Sequence, residues 1–158
     1  MLQNSNPSLQ EIRTFLESAH LDVKLNDSNP DPELLVHYDS EITLSLRLHP
    51  NPEHADQCFV QFLIPLGVDI PDPYFIRAAQ VIADFNHMAP MGIFSISEAS
   101  QPYFDYHFQV PSHGECQLNL LAAIRMSSLF ARRLCEYLQF KIQEWLKLSS
   151  NSLQPQTA

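Results

Sequence analysis

Apolar and polar positions change period along this chain, and the changes mark its elements. Leu9, Ile12, Phe15, Leu16 and Ala19 recur at helical spacing. Ser8 with Glu11 three residues later makes a capping-box pair, so a short helix is predicted over 9–20. From Glu33 the period becomes two. Leu34, Val36 and Tyr38 share one face, Leu35 and His37 the other, and Asp39-Ser40 marks a hairpin turn. Ile42, Leu44, Leu46 and Leu48 then alternate with Thr43, Ser45, Arg47 and His49, the clearest half-buried strand in the chain. After a Pro-rich loop holding His49 and His54, a third strand is predicted over 57–64, closed by Pro65. Val23 and Leu25 suit one brief edge strand, which is not counted among the five.

The stretch 72–110 reads as the spine. Asp72 suits an N-cap and Pro73 the first turn. Tyr74, Phe75, Ala78, Val81, Ile82 and Phe85 form an apolar stripe opposite Arg77, Gln80 and Asp84. Pro90 and Gly92 end that helix. Phe94 and Ile96 open a strand, Ser100-Gln101-Pro102 turns the chain, and Phe104, Tyr106, Phe108 and Val110 alternate with Tyr103, Asp105, His107 and Gln109. Ser112 and Glu115 are a second capping-box match, predicting a last helix to about Leu148. Its main stripe is Leu120, Leu121, Ile124, Ala131, Leu134, Leu138, Ile142 and Trp145, with Ser127-Ser128 as a place to bend. The order α-β-β-β-α-β-β-α with hairpin-length links predicts an α+β domain built on an antiparallel five-stranded sheet with flanking helices. One domain is expected over 8–148, between disordered segments 1–7 and 149–158.

Composition narrows the function. A chain of 158 residues with 45% hydrophobic content sustains one core, burying about 70% of its unfolded surface. A net charge of −9 argues against a phosphate-tracking nucleic-acid surface and against anionic membrane, and favours a basic protein segment as partner. Cys58, Cys116 and Cys135 are an odd, unclustered set among apolar neighbours, read as buried reduced thiols. The start is polar without a signal-peptide pattern, and no apolar run approaches the ~20 residues of a bilayer helix. A cytoplasmic, soluble protein is expected.

Phe85-Asn86 at a helix end, Gly92-Ile93-Phe94 opening a strand, Tyr103-Phe104-Asp105-Tyr106 in its hairpin partner, and the last helix with Ala122, Ala123, Arg132 and Arg133 carry a resemblance. The chain resembles the type III secretion chaperone-like fold, most closely its YbjN-type branch, over roughly residues 8–147. The resemblance implies a cytoplasmic, non-enzymatic domain, often dimeric. Secretion chaperones bind an extended partner segment across sheet and helices, and YbjN-type proteins are suggested to be regulators. Members in bacteria lacking such a secretion machine, cyanobacteria among them, are mostly uncharacterised, and that branch is the expected home of this chain. No catalytic residue carries over.

Candidate chemistry is sparse. Seven histidines (His20, His37, His49, His54, His87, His107, His113) lack the close spacing of zinc ligands. Asp105 and His107, at i and i+2 on one strand, are the best acid–base candidate, but no nucleophile is tied to them. Asp84 and His87 read as a surface pair. The three isolated glycines exclude a phosphate cradle. Phe94, Phe104, Tyr106 and Phe108 lack basic neighbours and read as core rather than base-stacking residues. No metal or cofactor is expected.

Two surfaces stand out. The outer sheet face carries Leu35, Phe59, Leu63, Ile93 and Tyr103 among Thr43, Ser45, Arg47 and His107, more apolar than a water-facing sheet should be. With Asp105 it forms the expected partner-binding set; a helix covering it is the plainer alternative. The last helix carries an off-stripe group, Met126, Phe130, Tyr137 and Phe140, expected to bury in a homodimer or in a second packing side within the chain. The sequence therefore predicts a non-enzymatic protein-binding module, chaperone-like or regulatory. The alternative is a small-ligand binder or enzyme with a pocket near Asp105 and His107.

Overall fold

The computed structural model describes residues 8–28, 31–53, 57–110 and 116–151. Helix α1 (Leu9–Ser18) opens on the expected capping box. Ser8 Oγ accepts from Glu11 N at 3.2 Å, and the Glu11 carboxylate accepts from Ser8 N at 2.7 Å. Strands β1 (Asp22–Asn26), β2 (Glu33–His37), β3 (Thr43–Pro50) and β4 (Cys58–Pro65) follow, then a 3-10 turn (Asp72–Tyr74) running into helix α2 (Phe75–Met88). Strands β5 (Ile93–Ile96) and β6 (Pro102–Val110) precede helix α3 (Cys116–Asn151). The second capping box, at Ser112 and Glu115, lies outside the described residues.

The sheet is antiparallel throughout, in the order β1-β2-β3-β4-β6-β5. It has six strands, not five. The segment around Val23 joins as an edge strand because Val23 pairs with Val36 and is buried beside it. Its exposed Asp22 and Lys24 are charges that blunt a free edge. The element order is thus α-β-β-β-β-α-β-β-α, with the hairpin β5–β6 inserted so that β6, not β5, pairs with β4.

One core joins the inward strand residues to all three helices. Ile12 and Leu16 of α1, Ala78 and Ile82 of α2, and Ile124, Leu134 and Leu138 of α3 pack with Leu34, Val36, Leu44, Leu46, Val60, Phe62, Ile64, Phe94 and Phe104. Aromatic rings run along it, Phe94 to Phe104 at 4.8 Å and Phe62 to Phe108 at 5.6 Å. The segment after β4 alternates without pairing into a ladder: Leu66, Val68 and Ile70 are buried, Gly67 and Asp69 exposed. Period two alone marks it, a signal the sequence reading passed over.

Three local expectations change. Asp72 caps nothing with its side chain; the turn starts at Pro71, whose carbonyl accepts from Tyr74 N at 2.8 Å. Phe75, placed in the inward stripe, is 39% exposed, because the 3-10 turn offsets the helical phase and Tyr74 takes the buried position. Helix α3 continues past Leu148 to Asn151, one unbroken helix through Ser127-Ser128. Tyr74 OH lies 2.8 Å from Ser149 Oγ, which ties that last turn down.

Candidate functional site

The opposite face of the sheet is open among the described residues. None of Leu35, Phe59, Leu63, Ile93 or Tyr103 belongs to the core. Strand register brings four of the seven expected partner-binding residues into one row across all six strands: Lys24, Leu35, Ser45, Leu63, Asp105 and Ile93. Leu35 and Leu63 are half-buried, and Ile93 is 61% exposed at the β5 end. Tyr103 lies two residues along β6, between Pro65 and Ser95. His107 lies two residues the other way, opposite Gln61. Phe59 sits apart from the row, between His49 and Gln109. It helps line a shallow hollow with Asn51, Glu53 and Gln57.

Beside this row runs a hydrogen-bonded polar strip in two parts. In the first, Glu33 is only 5% exposed although it faces outward. Its carboxylate accepts from Asn26 Nδ2 at 2.9 Å, Arg47 Nε at 2.9 Å and Ser45 Oγ. Burial pushes its pKa up, but the hydrogen bonds from Ser45, Arg47 and Asn26 and the Arg47 charge outweigh burial and hold it below the usual carboxylate value. In the second, Gln61 Nε2 donates to Asp105 Oδ1 at 3.1 Å, and His107 Nε2 lies 3.0 Å from the same oxygen. His49 Nε2 is 2.8 Å from Gln61 Oε1, and the His49 and His107 rings stack with centroids 6.1 Å apart. His49 is therefore a strand residue, not a loop residue, since β3 extends to Pro50.

Asp105 and His107 are brought together, but with side chains 30% and 52% exposed they lie on the open face, not in an enclosed pocket. Among the described residues no serine or cysteine hydrogen-bonds to either. No group of three His, Cys, Asp or Glu among them converges as metal ligands would. The Cys135 thiol borders a separate cleft of about 400 Å³ with Leu66, Arg132 and Gln139. It donates to Leu66 O at 3.2 Å, and burial, then the Glu136 and Glu41 charges, push its pKa up. A thiol held neutral in this way is a poor nucleophile.

The off-stripe group on α3 divides. Phe130 packs against the core, and the Tyr137 ring lies tilted against Phe85, with centroids 5.7 Å apart, while 41% exposed. Met126 is 41% exposed and Phe140 59%. Leu129, 47% exposed, belongs to the outward face of α3 and was missed. Among the outward sheet residues, Glu33, His49 and Gln61 were also passed over. Their parity was visible, but which strand lies beside which was not.

No helix among the described residues is long and apolar enough to cross a membrane. No family model matches the chain, and no curated protein does. Among solved structures it is similar to YbjN from E. coli, described as a candidate transcription regulator. The identity is 11% and the TM-score 0.60, covering 87% of this chain and 94% of that one. The likeness is one of fold, and it supports a YbjN-like α+β architecture.

Proposed function

We propose that this chain is a non-enzymatic protein-binding module, chaperone-like or regulatory, that docks its partner on the outer face of the sheet. One observation carries the reading. All three helices bury their residues on the other side, leaving Leu35, Leu63 and Ile93 open in one row with Lys24, Ser45 and Asp105, with Tyr103 and a hydrogen-bonded polar strip beside them. Leu35, Leu63, Tyr103 and Ile93 offer area to an apolar segment, while Gln61, Asp105 and the two stacked histidines offer donors and acceptors. That mixture of apolar core and polar rim is how protein interfaces are built. A segment lying across the strands is the chaperone-like mode. The YbjN description points to a regulatory one, and at a charge of −9 regulation through a protein suits this chain better than contact with DNA.

The test compares co-purified proteins from cells that naturally make the chain. Leu63→Asp, in the middle of the row, is expected to lose the partner held by the wild type. Ile76→Asp, at an 80% exposed position on α2, is expected to keep it. Matching thermal melts for both variants establish that folding is intact. A partner retained equally by Leu63→Asp speaks against the sheet face.

A further inference from the structure

The outward face of α3 is symmetric in spacing and opposite in charge about its midpoint. Directly away from the buried residues Ile124, Ala131, Leu134 and Leu138 lie Arg125, Leu129, Arg133, Glu136, Phe140 and Glu144, all exposed. Their spacing of four, four, three, four and four is palindromic about the point between Arg133 and Glu136. It stays close enough to the helical period for a straight helix to keep all six on one side. Their chemistry is inverted about the same point: cation, apolar, cation, then anion, apolar, anion.

We propose that this face is a self-complementary seam joining two copies of the chain, α3 against α3 in antiparallel register. Arg125 then meets Glu144 of the second copy, Leu129 meets Phe140, and Arg133 meets Glu136, each contact occurring twice about one two-fold axis. A parallel pairing would set arginine on arginine and glutamate on glutamate. The surface is isologous, as a closed dimer requires.

Three further observations favour a second copy as the occupant. Among the described residues Arg125, Arg133 and Glu136 have no ion partner within the chain, while Glu144 holds only its neighbour Lys141 at 2.9 Å. Leu129 at 47% and Phe140 at 59% exposed are apolar side chains set between those charges. Finally, α3 carries five of the chain's nine Lys and Arg (Arg125, Arg132, Arg133, Lys141, Lys147) but only Glu136 and Glu144 of its eighteen Asp and Glu. Two strongly acidic bodies can therefore meet along α3 with the least like-charge opposition. Exposed ion pairs contribute little attraction, so the apolar contacts hold the seam and the charges set its register. The seam is about 29 Å long and about 10 Å wide, roughly 300 Å² on each copy, which is smaller than a standard stable interface, so the dimer is weak and concentration-dependent. The seam lies on the far side of the core from the sheet face and does not depend on the partner reading above.

Sedimentation velocity across a concentration series tests this. The wild type is expected to pass from monomer to dimer. Arg125→Glu with Arg133→Glu makes the seam wholly acidic, and Glu136→Arg with Glu144→Arg makes it wholly basic. Each variant alone is expected to stay monomeric, and their equimolar mixture to regain a dimer, since every acidic position then faces a basic one. Phe140→Asp is expected to be a folded monomer by circular dichroism. A wild type that stays monomeric, either charge variant dimerising alone, a mixture that does not pair, or a dimeric Phe140→Asp would each overturn the seam.

Discussion

Asn86 closes the edge of the sheet at Phe94 with its side-chain amide. Its Nδ2 donates to Phe94 O at 2.9 Å, and its Oδ1 accepts from Phe94 N at 2.7 Å. The end of α2 thus supplies the pairing that a seventh strand would give, at a residue whose other neighbour, Phe104, sits on β6. Edge strands invite unwanted pairing unless blocked. Asn86→Ala is expected to destabilise the fold by about 1–3 kcal/mol, because two backbone groups lose their partner. Urea unfolding measures the loss, and light scattering should show more aggregation than in the wild type.

Gly92 and Gly67 separate two costs of adding a side chain. Both have positive φ, +70 and +62. A Cβ on Gly92 would sit 2.2 Å from the Phe104 ring, whereas one on Gly67 meets nothing within 4 Å. Gly67→Ala should cost only the left-handed backbone, about 1–2 kcal/mol. Gly92→Ala adds overpacking of about 1–3 kcal/mol against a core phenylalanine. Equal losses in paired denaturation curves would contradict this account of the turn.

Stability should fall in acid through two carboxylates. Glu33 and Asp39 both titrate below their ordinary values of 4.5 and 3.8. For Asp39, burial raises the pKa, but the Glu41 and Ile42 amides, each 2.9 Å away, and the Arg132 charge lower it further. A depressed folded pKa stabilises the fold fully above the unfolded value, and that contribution disappears as pH falls through the folded one. Glu33→Gln should therefore be less stable at pH 7, by about 1.5–3 kcal/mol for charge-assisted bonds. It should also lose less stability on acidification than the wild type. Urea midpoints measured from pH 7 down to pH 3 give both quantities.

Ser127 and Ser128 are 0% and 1% exposed, and their hydroxyls have no partner among the described residues. A buried unsatisfied hydroxyl is costly, and alanine is the better helix former. Ser127→Ala and Ser128→Ala should each raise stability by about 1 kcal/mol, read as an upward shift in the thermal midpoint.

What the chain showed in one dimension was what has a period. Leu34, Val36, Leu44 and Leu46 alternate, and Ile124, Leu134 and Leu138 recur on one helical face, so core and element order were legible. What escaped depends on neighbours. Val23 is the only buried residue of β1, so that strand exists through its pairing with β2 rather than through its own pattern. His49 looked like loop because of Pro50, yet its pairing with Phe59 on β4 keeps it in the ladder and carries β3 to Pro50. Gln61 joins His49 to Asp105 only because β4 lies between β3 and β6. On α3, the surplus aromatic residues Phe130 and Tyr137 pack inward or on Phe85. The outward face is marked by Leu129 and by charge order. The likeness drawn from Asn86 to Gly92 reflects backbone geometry, an edge closed by Asn86 and a close approach at Gly92.

Site-specific photo-crosslinking in cells that naturally make the protein tests the sheet-face reading most directly. A crosslinking residue is placed at Leu63, in the middle of the outer row, and in parallel at Ile76 on α2. The expected result is a discrete adduct with another protein from position 63, abolished when Leu35→Asp is added, and none from position 76. No adduct from position 63, or the same adducts from both positions, would contradict a partner held on the open face of the sheet.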